Sequence, residues 1–141
     1  MLVIKRIASI ALGAFLTSAG ISHLGSNRTE FLAQVPTWLP LNADFVVVAS
    51  GLVEITLGIC LIITTFIFNH LRHKVGLIVA LFFILIFPGN INQYVNGIDA
   101  FGLDTDQKRL IRLFFQPPLV ILTLWVTNSW GLIRLGRNSK S

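Results

Sequence analysis

The 141-residue chain contains one cysteine, one methionine and one tyrosine, and only six acidic residues against eleven basic ones. The lone thiol, Cys60, excludes an internal disulfide, a CxxC redox pair and a cysteine-rich zinc site. Charged side chains make up 12% of the residues, whereas a soluble domain carries about 25% to cover its surface. That scarcity excludes an ordinary water-soluble protein. Disorder is excluded as well, because 54% of the residues are hydrophobic and the mean hydropathy is +0.77. The length fits one domain, no internal repeat can be aligned, and residues 1–141 read as a single membrane domain.

What the chain does have is long apolar runs. A helix needs about 20 mostly apolar residues to cross a hydrocarbon core of about 30 Å. Four segments approach that length, at approximately 7–24, 45–68, 75–95 and 113–135. The third reaches it only if its helix continues through Pro88, Asn90 and Gln93 to Tyr94, and the fourth is interrupted near its start by Pro117 and Pro118. The expected fold is all-α, an integral membrane antiparallel four-helix bundle.

The basic residues orient it, because Lys and Arg are retained on the cytoplasmic side. Lys5, Arg6, Arg72, Lys74, Arg134, Arg137 and Lys140 fall on one side, and Arg28, Lys108, Arg109 and Arg112 on the other, with Asp99, Asp104 and Asp106 beside them. Both termini are therefore expected in the cytoplasm, and the net charge of +5 reflects topology and contact with anionic lipid. No basic stripe is interleaved with aromatics, so a nucleic-acid partner is not expected. A rival reading makes Met1 to Gly20 a cleavable signal peptide; the absent A-x-A, the length of the apolar stretch and the odd number of spans left after cleavage oppose it. The triplet Asn27-Arg28-Thr29 is too short a signal to carry a glycosylation site.

Inside a bilayer each charged side chain needs a physical account, because one at mid-span costs on the order of 2.5 to 3.5 kcal/mol. Glu54 is the main case: it lies ten residues past Asp44, about 15 Å along a helix and near the midplane. A bound proton or a neighbouring cation would offset the cost. Ser50, Glu54 and Gly58 share a face of the second span with Gly51 beside it. The first span carries Ser9, Gly13, Thr17, Gly20 and His23 or Leu24 in a comparable stripe, which predicts close small-residue packing between the two.

Depth then brings distant residues together. His23 falls about 24 Å along the first helix from Ile7, Asn90 about 22 Å along the third from Val75, and Gln116 one turn inside Arg112. All lie in the outer third, so a polar funnel is expected with Glu54 as its floor and His23, Asn90, Asn92 or Gln93, Gln116 and Arg112 as its walls. The candidate pocket residues are His23, Ser50, Glu54, Asn90, Arg112 and Gln116. Pro88, Pro117 and Pro118 release backbone carbonyls at the same end, and non-helical backbone at this depth is tolerated only against protein or a cavity. Three readings of Glu54 stay open: a register-fixing ion pair with His23 or Arg112, a ligand or proton site, and a carboxyl group that is simply protonated and hydrogen-bonded. Trp38, Tyr94 and Trp130 read as interfacial anchors, with Trp38 also able to roof the funnel, and Cys60 as an apolar filler. Haem is not expected, since no two histidines share a depth within the core and His70 and His73 sit on a loop. No cofactor or metal site is read from the chain.

The motifs Gly20-Ile21-Ser22-His23, Val35-Pro36-Thr37-Trp38-Leu39-Pro40, Ser50-Gly51-Leu52-Val53-Glu54, Phe87-Pro88-Gly89-Asn90-Ile91, and Arg112 with Gln116-Pro117 come in an order that resembles the DoxX-like family of small bacterial membrane proteins. The resemblance covers nearly the whole chain, with Gly89 where that family usually has alanine. It implies an inner-membrane four-helix bundle in which His23, Glu54, Asn90, Arg112 and Gln116 belong to one site. On this basis the chain is expected to be an accessory or assembly subunit of a redox-related membrane complex, without autonomous catalysis. The alternative is a binding protein for a quinone or sulfur metabolite with an outward-facing polar pocket around Glu54 and His23. Expected partners are the lipid bilayer, with a membrane protein, a second copy or a small ligand left open. A proton-coupled transporter is disfavoured because four helices without a repeat offer little means of alternating access.

Overall fold

The computed structural model describes residues 3–25, 31–32, 35–98 and 105–131. The sequon at 27–29, the acids Asp99 and Asp104 and the basic tail from 132 onward lie outside them. Among the described residues the fold is all-helical, without a strand. Four long helices, α1 (Val3–Leu24), α2 (Ala43–Phe66), α3 (Arg72–Val95) and α4 (Asp106–Val126), follow one another, with a 3-10 turn at Asn69–Leu71. All four are long and apolar enough to cross a membrane.

The helix ends follow local chemistry. The Asn42 side chain accepts from the backbone N–H groups of Asp44 (2.9 Å) and Phe45 (3.2 Å), capping α2, and Asp44 stands in its first turn, where the helix dipole favours an acid. Thr105 caps α4 in the same way by accepting from the Lys108 N–H at 3.2 Å. Helix α4 therefore starts at Asp106, ahead of the apolar span read from about Leu113 to Leu135; it closes at Val126, and residues 130–131 are helical again. The physical reason for the early start is the cap: two polar opening turns carrying Lys108, Arg109 and Arg112 are helical although they are not apolar. Pro88, Pro117 and Pro118 are contained within α3 and α4, so each removes one internal hydrogen bond without ending its helix.

Helix α1 packs chiefly on α2, and α3 on α4, while the two pairs touch each other less. Glycine sets the first seam. A Cβ placed on Gly13 would stand 2.7 Å from the Gly58 carbonyl oxygen, and one on Gly20 2.6 Å from the Gly51 oxygen, so the backbones are in direct contact. A buried hydrogen bond from Thr65 to Ser9 (3.2 Å) continues the seam. In the second pair Gly76 lies against the hydroxyls of Thr127 and Ser129, and Ser129 donates to the His73 carbonyl at 2.7 Å. Leu12, Leu16, Leu57, Leu61, Val79, Phe83 and Val126 form a buried core between the pairs. Large apolar side chains cover the outside; Phe114 is 69% and Leu85 66% exposed. Such a surface suits lipid and not water.

Candidate functional site

Beside that core, with Phe83 common to both, lies a cavity of about 510 Å³ lined by residues of all four helices. Its size is within the range of small-molecule sites, about 300 to 1,000 Å³. The walls are mainly apolar: Phe15 and Ala19 from α1, Val46 and Val47 from α2, Phe82, Phe83 and Ile86 from α3, and Leu119 from α4. Phe31 and the segment Val35, Pro36, Trp38 and Leu39 border it between α1 and α2.

Two polar groups interrupt this lining. The first joins α1 to α2. A Cβ on Gly51 would be 2.7 Å from His23 Cβ, so only glycine lets the imidazole lie this close to the α2 backbone. His23 Nδ1 is 3.2 Å from the Val47 carbonyl and 3.1 Å from Ser50 Oγ, and the Ser50 hydroxyl itself donates to Val47 O at 3.0 Å. Because Val47 O can only accept, Nδ1 is the protonated nitrogen in this network, and Nε2 is left to face Glu54. Nε2 lies 3.1 Å from Glu54 Oε2. That is ion-pair distance, but the geometry is not that of a hydrogen bond, and Oε2 is a buried oxygen without a hydrogen-bond partner among the described residues. Glu54 as a whole is only 5% exposed. The Phe31 ring covers the imidazole with ring centroids 3.6 Å apart.

The second group joins α3 to α4. Gln116 donates from Nε2 to the Phe83 carbonyl at 2.7 Å, one residue before the carbonyl that Pro88 leaves without its helical donor. Its Oε1 accepts from Arg112 Nη1 at 3.2 Å, one helical turn away. Gln116 is thus a clamp between the helices as well as an orienting acceptor for the guanidinium. Asn90, 6% exposed, lines the cavity from α3.

All six residues singled out from the sequence, His23, Ser50, Glu54, Asn90, Arg112 and Gln116, border this one cavity. Their functional role is a separate matter. Asn92 and Gln93 are buried but do not border it: Asn92 accepts from Asn96 at 2.7 Å, and Gln93 donates to the Ile98 carbonyl at 3.2 Å, so both finish the end of α3. Arg109 is not a loop cation; it sits inside α4, 7% exposed, 3.2 Å from Asp106. Glu54 pairs with His23 and not with Arg112. The aromatic walls are not legible as such, since Phe82 and Phe83 have the same composition as the exposed Phe114 and Phe115. No cluster of three or more metal-ligating side chains occurs among the described residues.

Fold and site together define an all-helical protein with four membrane-length helices and a mostly apolar cavity bearing two polar groups. A family described as a domain of unknown function, DUF8561, matches residues 12–127, and the chain belongs to that family. No curated protein and no solved structure matches the chain.

Proposed function

We propose that the chain is a multi-pass protein of the bacterial cytoplasmic membrane, an antiparallel four-helix bundle with both termini inside. Its cavity opens toward the outer side and binds a small molecule with an apolar body and a polar head. The single observation that carries this reading is the cavity itself: a space of about 510 Å³ with apolar walls, at which a buried Glu54–His23 pair and the Arg112–Gln116 pair both stand. A bundle needing only a register device would gain by closing that space, since an unfilled volume forfeits packing. The distribution of basic residues supports the orientation. The motifs that resemble the DoxX-like family contribute His23, Trp38, Glu54, Asn90, Arg112 and Gln116 to this lining. An accessory subunit of a redox-related complex, the role that resemblance points to, is compatible with the pocket when its occupant is a quinone or a sulfur metabolite.

Native mass spectrometry of protein extracted in mild detergent tests the reading against Ala19→Trp, which fills the cavity from α1. The expected result is a small-molecule adduct on the wild type that Ala19→Trp lacks. Identical spectra, with neither protein carrying an adduct, would point to a structural bundle.

A further inference from the structure

Resting on that pocket reading, the geometry points to a narrower ligand class: we infer that the cavity selects an anionic amphiphile, with a carboxylate head held by Arg112 and an apolar body among the phenylalanines. Among the described residues three ionisable side chains border the cavity, Glu54, His23 and Arg112. Glu54 and His23 stand 3.1 Å apart. A bare carboxylate beside a neutral ring would leave an uncompensated buried charge, whereas one proton on either member makes the pair neutral as a whole. Arg112 has no such partner among the described residues. Its assigned contact is with the neutral Gln116 amide, and no carboxylate pairs with it among the described residues. The described lining therefore carries one net positive charge, on a guanidinium bonded to the same Gln116 side chain that reaches α3.

A guanidinium offers five N–H donors in a planar fork, of which the Gln116 bond engages one, and that fork fits a carboxylate at two points. A neutral ligand would leave the charge uncompensated in an apolar lining; an anion removes the cost. Phe15, Phe82 and Phe83 offer the body an apolar surface. The remaining acceptor, the Glu54 carboxyl, adds a preference for a hydroxyl or N–H group on that body.

The test uses the quenching of Trp38, which borders the cavity, by brominated chains. Purified full-length protein in detergent is titrated with dibromostearate, with its uncharged methyl ester, and with a phosphatidylglycerol carrying the same brominated chains. The Trp38→Phe variant identifies the part of the signal that arises at the cavity. The expected result is saturable quenching by the acid at a concentration about tenfold or more below that of the ester, a preference that Arg112→Gln abolishes and Arg112→Lys partly keeps. Because acid and ester are compared on the wild type, the outcome does not depend on a variant folding. Equal, saturable quenching by acid and ester would overturn the anionic class while leaving the pocket in place. Quenching by the phospholipid alone would assign the site to an anionic membrane lipid and overturn the carboxylate head. Absence of saturable quenching by all three would remove the pocket reading with it.

Discussion

The coupling between His23 and Glu54 can be measured, because each reaches the other from a different helix. Glu54→Gln keeps the shape and removes the ionisable oxygen; His23→Gln keeps a polar side chain and removes the ring that faces it. The pair is 3.1 Å apart and almost fully buried, so the interaction is between a charged or proton-sharing group and its partner, worth about 1.5 to 3 kcal/mol when well aligned. Its geometry is off the hydrogen-bond direction, which places the expected coupling in the lower part of that range, at about 1.5 to 2 kcal/mol. Each single variant also pays separately. His23→Gln gives up the Nδ1 contacts to Val47 and Ser50, and Glu54→Gln brings two amide protons to a place that supplies no acceptor for both. Unfolding of the two single variants, the double variant and the wild type in mixed micelles, titrated with a denaturing detergent and followed by tryptophan fluorescence, completes the cycle. If the effects add to within about 0.5 kcal/mol, the two residues are neighbours without a bond, and the neutral-pair argument behind the ligand class fails with them.

Gly58→Ala should destabilise by about 1 to 3 kcal/mol in the same assay, because its Cβ would stand 2.6 Å from the Gly13 carbonyl oxygen and 2.8 Å from the Thr17 nitrogen; Gly131→Ala, with nothing within 4 Å, should have little effect. Gln116→Leu should cost about 1 to 3 kcal/mol, since it leaves the half-buried Arg112 guanidinium and the Phe83 carbonyl without their partner; a neutral result would show that the clamp is not holding α3 to α4. An alkaline phosphatase fusion at the carboxyl end should be inactive and a cytoplasmic reporter active; the opposite pattern would invert the membrane orientation.

How much of this was legible in the sequence depends on which physical signal each feature leaves. The helices are read from apolar length, and the seam between α1 and α2 from the spacing of Gly13, Gly20, Gly51 and Gly58, because direct backbone contact demands glycine whatever surrounds it. The polar residues of the site are read from their cost: a glutamate at mid-span stands out where a phenylalanine does not. The start of α4 leaves no apolar signal for the converse reason, since hydropathy penalises Lys108, Arg109 and Arg112 although Thr105 caps a helix that contains them. The cavity walls leave no signal. In a membrane-length helix, a phenylalanine facing a pocket and one facing lipid are equally apolar, and only packing separates Phe83 from Phe114. The same holds for Phe31, whose ring meets that of His23 at a tilt of 38° across a long sequence separation from the rest of the lining on α3 and α4.

The central claim is that the polar groups border an accessible pocket and not a sealed network, and chemical access measures it directly. In a Cys60→Ala background, Asn90→Cys and Gln116→Cys place thiols on the cavity lining, while Val79→Cys places one in the buried core. Intact cells are treated with a membrane-impermeant maleimide and the modified fraction is read by mass shift. The account predicts that the first two are modified from outside, that Ala19→Trp slows both, and that the Val79→Cys thiol stays unmodified. If the Asn90→Cys and Gln116→Cys thiols are as inert as the core thiol, the cavity is closed to the outer side and the pocket reading is contradicted.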